Sequence, residues 1–320
     1  MSKIKCAVIG VGYLGRFHAQ KYQMLDEATL VAVCDVNAEA SEVVSRELQV
    51  PAYTNYHDLF GQVDAVSIAA TTRSHYAIAR ECLLQGIHVL LEKPITETVA
   101  QAQELIAIAH EQGVKLQVGH LERFNAARLA LDPYLHNPLF IDSQRLAPFT
   151  PRGADVNVIL DLMIHDIDII QSIVKSRIVS IDAQGAPVLS SAIDIANARI
   201  TFENHCVANV LASRVSFKTE RKTRIFQPTS YISIDYHQKQ FAVFEKGDGE
   251  MFPGIPNVTH QQSVFEKGDA LLDEIKAFVQ CIVNDTTPLV TGQDGCDALA
   301  TAAKISELID TNLRFRYADA

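Results

Sequence analysis

The amino-acid sequence predicts an α/β fold in two domains: a doubly wound parallel sheet, then an α+β domain with an open, mostly antiparallel sheet. Strand-like and helix-like stretches alternate strictly as far as about residue 120, which is typical of a parallel sheet covered by helices on both faces. Beyond that point strands dominate, and several of them alternate apolar and polar residues. A chain of 320 residues is long enough for two complete cores, so we place the domains at 1–120 and 121–320.

The elements of the first domain follow from short apolar runs, which predict buried strands, and from the amphipathic stretches between them, which predict helices. Gly86 and Gly113 are placed to terminate two of these helices, and Thr96 is the expected N-cap of the helix that ends at Gly113. The predicted strands are 4–9, 30–35, 63–69, 87–91 and 114–118, and the predicted helices after the first one are 37–48, 74–85 and 97–112.

The second domain begins with a helical stretch at 121–131. The alternating strands that follow predict a sheet with one buried face and one face available to solvent, a substrate or another subunit. Glycine and proline cluster at 247–256, which predicts a loop there. The predicted strands are 139–146, 177–187, 193–203, 205–217 and 223–245, and the predicted helices are 155–174, 266–284 and 293–313.

A Gly-x-Gly-x-x-Gly turn joins the first strand to the first helix. Gly10 permits the tight turn, Gly12 lets the backbone approach a pyrophosphate, and Gly15 lets the helix pack closely on the sheet. The free N–H groups near Tyr13 and Leu14 open the helix, whose positive dipole end suits phosphates. An ordinary strand-to-helix turn is the alternative, but the succession of strand, glycines, helix, strand and acid favours a dinucleotide site.

Asp35 ends the second strand, twenty residues after Gly15, where a carboxylate is placed to accept hydrogen bonds from the adenosine ribose hydroxyls. The same charge repels the additional phosphate of NADP, and the neighbours Cys34, Val36 and Asn37 supply no cation to offset it. The sequence therefore predicts NAD as the cofactor.

Composition argues against several classes of protein. The formal net charge of −10 disfavours a nucleic-acid partner, because phosphate backbones need a basic footprint. No apolar run approaches the roughly 20 residues of a membrane span, and the chain starts directly with a strand, so we expect no membrane partner, no signal peptide and a cytoplasmic location. The six cysteines form no Cys-x-x-Cys pair and are expected to be small buried hydrophobic residues.

Ligands of open α/β sheets bind beyond the carboxyl ends of the strands. Thr71 and His75 follow one such strand end, and Glu92 and Lys93 follow the next. Lys93 lies between an acid and a proline that restricts the backbone. An ordinary surface lysine is the alternative, but the position of Lys93 at the mouth of the cofactor crevice favours a functional role. We expect all four residues to contribute to the cofactor site, with Lys93 also reaching the substrate.

The stretch 155–174 predicts a helix that is apolar nearly all round, with one narrow polar stripe at helical spacing. A solvated face is the ordinary explanation, but such faces usually carry Lys, Glu and Arg, and this stripe has none, which favours a functional groove. Asp161 and His165 are close enough to hydrogen-bond, which would orient the imidazole and raise its basicity. A metal-dependent hydrolase is the weaker alternative, and we expect no metal, because ligands on successive turns lie along one line. The stripe comprises Asn157, Asp161, His165, Asp168 and Ser172.

Three motifs, the glycine turn, Glu92-Lys93-Pro94 and Asp161-x-x-x-His165, together resemble the Gfo/Idh/MocA family of sugar and inositol oxidoreductases. The resemblance covers the whole chain. It implies a NAD-binding Rossmann domain joined to an α/β domain that binds the substrate and often makes subunit contacts, hence a homo-oligomer (a dimer or tetramer). It also implies that Lys93 binds the reacting hydroxyl and the nicotinamide region, that His165 is the general acid/base and that Asp161 supports it.

A narrower resemblance, over residues 118–125 and 161–168, is to the branch that oxidises nucleotide amino sugars. In that branch the UDP-N-acetylglucosamine 3-dehydrogenases, which act in lipid A biosynthesis, look most similar. The resemblance implies substrate contacts from His120, Arg123 and Asn125.

Basic residues in the second half of this acidic protein fit the same substrate class. Arg145, Arg152 and the stretch 214–224 are candidates for binding a diphosphate, because guanidinium groups match phosphate oxygens. A solvated strand face is an equally good explanation for the stretch 214–224.

The sequence thus predicts reversible hydride transfer between NAD and a secondary hydroxyl of a small-molecule sugar, and the narrower resemblance implies a UDP-linked one. His165 would take the hydroxyl proton and Lys93 would stabilise the developing alkoxide. Open alternatives are a free sugar, an inositol or a biliverdin-like carbonyl as the substrate, and a regulatory protein that senses NAD without chemistry. The combination of Lys93, Asp161 and His165 argues against a sensor, which has no use for a proton relay.

Overall fold

The computed structural model describes residues 3–150, 156–265 and 268–318, with side chains as far as Arg314. The chain divides into two units, each with its own sheet. The first unit consists of Met1–Phe124 and Asp269–Leu299, and the second consists of Asn125–Gly268 and Ala300–Ala320. The first unit therefore passes the expected boundary at residue 120 and includes a C-terminal segment that the sequence analysis assigned to the second domain.

The sheet of the first unit is parallel, and its six strands in the described residues are ordered β3-β2-β1-β4-β5-β6. The order reverses between β1 and β4, which is the switch point where open α/β sheets bind ligands. This confirms the predicted doubly wound sheet. Its strands are β1 Ile4–Ile9, β2 Ala28–Cys34, β3 Ala52–Tyr53, β4 Ala65–Ile68, β5 His88–Glu92 and β6 Leu116–Gly119, and its helices are α1 Tyr13–Tyr22, α2 Ala38–Leu48, α3 Thr72–Leu84 and α4 Val99–Gln112.

The cap of α4 differs from the predicted one. Thr98, and not Thr96, is the N-cap: its hydroxyl accepts a hydrogen bond from Gln101 N, and the Gln101 side chain accepts one from Thr98 N. The Thr96 hydroxyl donates to Thr98 O instead. The reason is that only Thr98 has a glutamine three residues later, which completes a capping box. Gly113 ends the helix with φ +65°, as predicted.

Residues Asp269–Leu299 join the first unit through its sheet and its first helix. Val118 N donates to Val290 O beside β6, and Lys21 of α1 forms a 2.6 Å ion pair with Asp269. Phe278 is fully buried in the same core. This segment carries helix α7, Ala270–Val283, and the beginning of helix α8, Gly292–Ala318.

The sheet of the second unit has eight strands in the described residues, in the order β14-β13-β12-β11-β7-β10-β9-β8. β7 and β10 pair in parallel and the other neighbours pair antiparallel, which confirms the predicted open, mostly antiparallel sheet. The strands are β7 Phe140–Leu146, β8 Ile178–Ala186, β9 Ile195–Phe202, β10 Val207–Ser213, β11 Glu220–Phe226, β12 Ser230–Asp235, β13 Gln240–Phe252 and β14 Ile255–Val264.

Two predictions for this sheet were wrong. The long strand expected at 223–245 is divided among β11, β12 and β13, and the loop expected at 247–256 is the end of a β-hairpin. The glycines there do not prevent pairing, because register shifts around Glu250 absorb them as bulges. Pro256 lies on the edge strand β14, where a missing N–H is tolerated.

The helical stretch expected at 121–131 is also broken. Leu121–Phe124 is a 3₁₀ turn, and helix α5 covers only Ala126–Leu129. Among the helices of the described residues, none combines the length and the apolar character that crossing a bilayer requires.

Candidate active site

The glycine turn has the geometry that a dinucleotide site needs. Gly10 has φ +84°, and a Cβ there would lie 2.6 Å from Ala70 N. A Cβ on Gly15 would lie 1.8 Å from Gly10 O, so only glycine lets α1 approach the turn this closely. Gly12, by contrast, faces open space, with no atom within 4 Å of its Cβ position. The turn therefore leaves room for a pyrophosphate at the N-terminus of α1.

Asp35 is held beside this turn, directly after β2. One carboxylate oxygen accepts a 2.8 Å hydrogen bond from Val11 N and the other accepts a 2.9 Å bond from Asn37 N. The carboxylate is thus oriented at the sheet edge where the ribose of a dinucleotide lies. Asn37 also caps α2, accepting hydrogen bonds from Glu39 N and Ala40 N.

A cleft of about 640 Å³ lies next to the turn, between the first residues of α1 and those of α2. Arg16, which the sequence analysis did not single out, lines it and forms a 2.8 Å ion pair with Glu47. Tyr13 is 68% exposed on the same side. The complete lining is Val11, Gly12, Tyr13, Arg16, Phe17, Gln20, Asn37, Glu39, Ala40, Val43 and Val44.

His75 connects the two loops that follow β4 and β5. Its Nδ1 lies 2.9 Å from Pro94 O and its Nε2 lies 3.1 Å from Ala70 O. The ring is buried, and burial lowers its pKa below the usual value although both carbonyls act in the opposite direction. Thr71 is the exposed N-cap of α3, with its hydroxyl 3.2 Å from that of Ser74. For both predicted residues, direct contact with the cofactor stays a prediction.

The Glu92-Lys93-Pro94 motif turns sharply at the end of β5. The carboxylate of Glu92 is buried, accepts a 3.2 Å hydrogen bond from Lys93 N and lies 3.1 Å from His18 Nε2. Lys93 is half-buried, and the peptide bond to Pro94 is cis. Glu92 is therefore turned into the protein, and its predicted contact with the cofactor stays a prediction.

His120 and Arg123 lie in the same region of the first unit as Lys93. His120 is buried after β6, and its pKa is lowered to about 3 by burial first and then by the positive charges of Lys93 and Arg123. The imidazole is accordingly neutral at physiological pH. Arg123 donates a 3.1 Å hydrogen bond to Leu289 O. The structure thus brings together three of the predicted site residues.

The other predicted substrate contacts have structural partners or lie outside the described residues. Asn125 is buried, donates to Tyr236 O and caps α5 by accepting from Ala127 N. The guanidinium of Arg145 is buried and donates a 2.6 Å hydrogen bond to the carboxylate of Asp166. Arg152 lies outside the described residues. A substrate role for Asn125 and Arg152 stays a prediction.

Asp161 and His165 lie where the expected helix is irregular. Ile159–Met163 forms a π-helical turn, and the regular helix α6 begins only afterwards, at Ile164–Val174. Asp161 lies in the π turn and His165 in the first turn of α6, and both side chains are half-buried. π-Helical turns are rare in proteins, and many of those that occur lie at functional sites. The start of the predicted helix, at residue 155, lies outside the described residues.

The ends of the polar stripe are bound within the second unit. Asn157 donates to the Ser306 hydroxyl and accepts from Leu160 N. Ser172 donates to Ile169 O. The part of the predicted groove around Asp161 and His165 is therefore the part that fits a functional role best.

Family models match both halves of the chain. Residues 4–120 match the oxidoreductase family model described as an NAD-binding Rossmann fold, and residues 136–229 match the GFO/IDH/MocA C-terminal domain. The chain belongs to the GFO/IDH/MocA oxidoreductase family. It is accordingly an NAD-dependent oxidoreductase, as the open space at Gly12 and the position of Asp35 predict.

Individual relatives agree with this family. The UDP-N-acetylglucosamine 3-dehydrogenase of Acidithiobacillus ferrooxidans is 36% identical over 98% of this chain and 100% of its own. Its solved structure has a TM-score of 0.91, covering 97% of this chain and 99% of that one. The myo-inositol 2-dehydrogenase of Thermotoga maritima is 25% identical over 92% of this chain and 93% of its own. The fold is also that of a scyllo-inositol dehydrogenase from Lactobacillus casei, with a TM-score of 0.80 at 22% identity, covering 97% of this chain and 98% of that one.

The structure also contains buried acidic residues that the sequence analysis missed. Asp166, the partner of Arg145, is fully buried and is not part of the predicted stripe. Glu274 is fully buried in α7, which the sequence analysis assigned to the other domain. An acid inside an otherwise apolar helical face was the available signal for both residues.

Proposed function

We propose that this oxidoreductase removes a hydride from the 3-position of UDP-N-acetylglucosamine, leaving a ketone. The observation that carries the proposal is the 36% identity, over practically the whole length of both chains, to a UDP-N-acetylglucosamine 3-dehydrogenase. Glu92-Lys93-Pro94 and the Asp161–His165 pair supply the residue types that alcohol oxidation requires.

In the proposed mechanism Lys93 and His165 act on the same sugar hydroxyl. NAD, when bound, accepts the hydride from the carbinol carbon. The imidazole of His165 takes the hydroxyl proton as general base, the role that histidine fills most often in proton transfer. The ammonium of Lys93 donates a hydrogen bond to the same oxygen and stabilises its developing negative charge. Asp161 orients His165 and selects its tautomer.

The proposed substrate contacts are His120, Arg123, Asn125 and Arg152. Arg145 is not among them, because its buried guanidinium binds Asp166. His120 fits a role as a neutral hydrogen-bonding group, because burial and the neighbouring cations lower its pKa and so disfavour protonation of both ring nitrogens. We also propose that the active form is a homo-oligomer, a dimer or a tetramer, which size-exclusion chromatography with light scattering would test.

The proposal is tested by following NADH absorbance with UDP-N-acetylglucosamine, free N-acetylglucosamine and myo-inositol as substrates. We expect turnover with the UDP-sugar, and we expect Lys93→Ala and His165→Ala each to lower kcat at least about a hundredfold. NAD affinity should change little, because neither side chain is proposed to bind the adenosine or the pyrophosphate.

Lys304→Ala and His110→Ala are matched controls, since both side chains lie on exposed helix surfaces. Near wild-type turnover in either catalytic variant would show that the role given to that residue is wrong. Turnover with myo-inositol alone would favour the second candidate, an inositol dehydrogenase, which the T. maritima relative supports. NAD binding without turnover of any alcohol would favour a sensor.

A further inference from the structure

A group of three buried titratable side chains lies in the first unit next to the Lys93 turn. Among the described residues, His18 of α1, Glu92 of β5 and Glu274 of α7 each bring a nitrogen or an oxygen within 4.8 Å of the other two. His18 and Glu274 are fully buried and Glu92 is 8% exposed. The proposed mechanism uses neither His18 nor Glu274.

Within this group Glu274 has no compensating partner. His18 Nε2 bonds Glu92 Oε1 at 3.1 Å, but neither carboxylate oxygen of Glu274 has a hydrogen-bond partner among the described residues. The other ionisable group that faces it from α1 is the Tyr22 hydroxyl, which bonds Ser67 at 2.8 Å. A carboxylate ionised here would be both desolvated and next to the negative charge of Glu92. Burial, and then Glu92, raise the pKa of Glu274 well above its usual value.

Glu92 is the member that connects this group to the site. It accepts a hydrogen bond from Lys93 N, so its carboxylate orients the backbone that carries the lysine. Gly119 leaves the space that the carboxylate occupies, because a Cβ there would lie 2.9 Å from Glu92 Cδ. A carboxylate in this position has lone pairs left for one further donor.

We propose that Glu274 is a positioning residue that stays protonated and donates a hydrogen bond to Glu92, directly or through one water molecule. The hydrogen bond holds the Glu92 carboxylate against Lys93 N and thereby fixes the Lys93 turn. The inference rests on the proposed function in one respect, because it assigns Lys93 to the catalytic machinery.

A divalent cation would use the same three side chains, and the chemistry of the group favours the proton instead. Zinc in proteins takes four ligands or three with an accessible water, whereas the described residues offer three buried ones. A single proton neutralises Glu274 without a fourth ligand and turns its repulsion with Glu92 into a hydrogen bond.

The kinetic test compares Glu274→Gln with Glu274→Met. Glutamine keeps the shape and a hydrogen-bond donor, whereas methionine keeps the length and donates nothing. We expect Glu274→Met to lower kcat about tenfold, the effect of losing one hydrogen bond to a charged group, with unchanged NAD affinity. Glu274→Gln should stay within about twofold of the wild type. Equal losses in both variants, or no loss in either, would overturn the proposal.

A second measurement does not depend on any substrate. The infrared difference spectrum between wild type and Glu274→Gln should contain the carbonyl band of a protonated carboxylic acid near neutral pH. Absence of this band would overturn the proposal. So would metal binding: if the wild type, incubated with zinc or manganese alone and then dialysed, retained one equivalent of the metal, the site would hold a cation and not a proton. If the wild type turns over no UDP-sugar, the proposed function fails, while the infrared band still decides the state of Glu274. The same spectrum decides the question if Glu274→Met does not fold.

Discussion

In the second unit the buried carboxylates of Asp166 and Asp194 each meet a buried arginine, whereas in the first unit Glu274 faces another carboxylate. None of the three side chains is accessible to solvent. The partners differ: guanidinium groups lie 2.6 Å and 2.7 Å from the two aspartates. The groups that folding places beside a buried acid therefore differ between the two units, a cation in one and a second carboxylate in the other.

The pKa shifts of two of these acids have opposite signs. Burial acts to raise the pKa of Asp194, but hydrogen bonds from Val188 N, the Arg214 guanidinium and further backbone N–H groups outweigh it, and the pKa lies well below its usual value. Glu274 has no such donors, and burial together with the charge of Glu92 raises its pKa. The same chemical group is thus an anion in one unit and an acid in the other.

The largest expected effect is on the ion pair of the second unit. Arg214→Met leaves Asp194 buried without its cation and should lower the free energy of unfolding by about 3–5 kcal/mol. Urea denaturation followed by circular dichroism measures the loss. The control is Arg177→Met, which removes an exposed pair with Glu203 and should shift the denaturation midpoint little. Equal shifts for both variants would mean that burial adds nothing to the pair.

The pH dependence of stability tests the contrasting case in the first unit. Between the unfolded pKa of a glutamate, about 4.3, and the raised folded pKa of Glu274, the folded chain holds a proton that the unfolded chain has lost. Stability therefore falls by about 1.4 kcal/mol per pH unit from this group alone as the pH rises through that window. Glu274→Gln lacks this dependence.

The measurement is urea denaturation of wild type and Glu274→Gln at several pH values from about 5 to about 8. The stability difference should grow in favour of the glutamine variant as the pH rises. A difference that stays constant over this range would show that Glu274 is ionised in the folded protein, as Asp194 of the second unit is expected to be.

The smallest expected effect separates the contributions to one carboxylate. Ser143 donates a 3.0 Å hydrogen bond to Asp166, which Arg145 also binds through two nitrogens. Ser143→Ala should cost about 1 kcal/mol, because the guanidinium still compensates the charge. Arg145→Met is the matched comparison and should cost several times more. A serine variant as unstable as the arginine variant would show that the hydroxyl, and not the cation, holds Asp166.

Features built from neighbouring residues were predictable from the sequence. The glycine turn, the carboxylate after β2 and the end of α4 at Gly113 depend on backbone angles and spacings within about 30 residues. The N-cap error at Thr96 was avoidable by the same reasoning, since Gln101 marks Thr98 as the cap. The family motifs, which are also short, led to the correct family.

Contacts over long separations were not predictable in this way. From the sequence alone, Arg145 was a candidate for binding a phosphate. The structure shows that its partner is Asp166, with which it forms a buried ion pair. The segment 247–256 contains loop residues, yet the pairing of β13 with β14 makes it the end of a β-hairpin. Periodicity reports which side of an element is buried but does not name the surface that buries it.

By itself the sequence determined the two sheets, the dinucleotide turn and the NAD chemistry, because each depends on local spacing and side-chain type. The tertiary structure alone decided that residues 269–299 return to the first unit. It also decided that Glu274 lies beside Glu92, 182 residues earlier in the chain. The charge of a buried acid depends on what folding places beside it, and such a neighbour leaves no pattern in the local sequence.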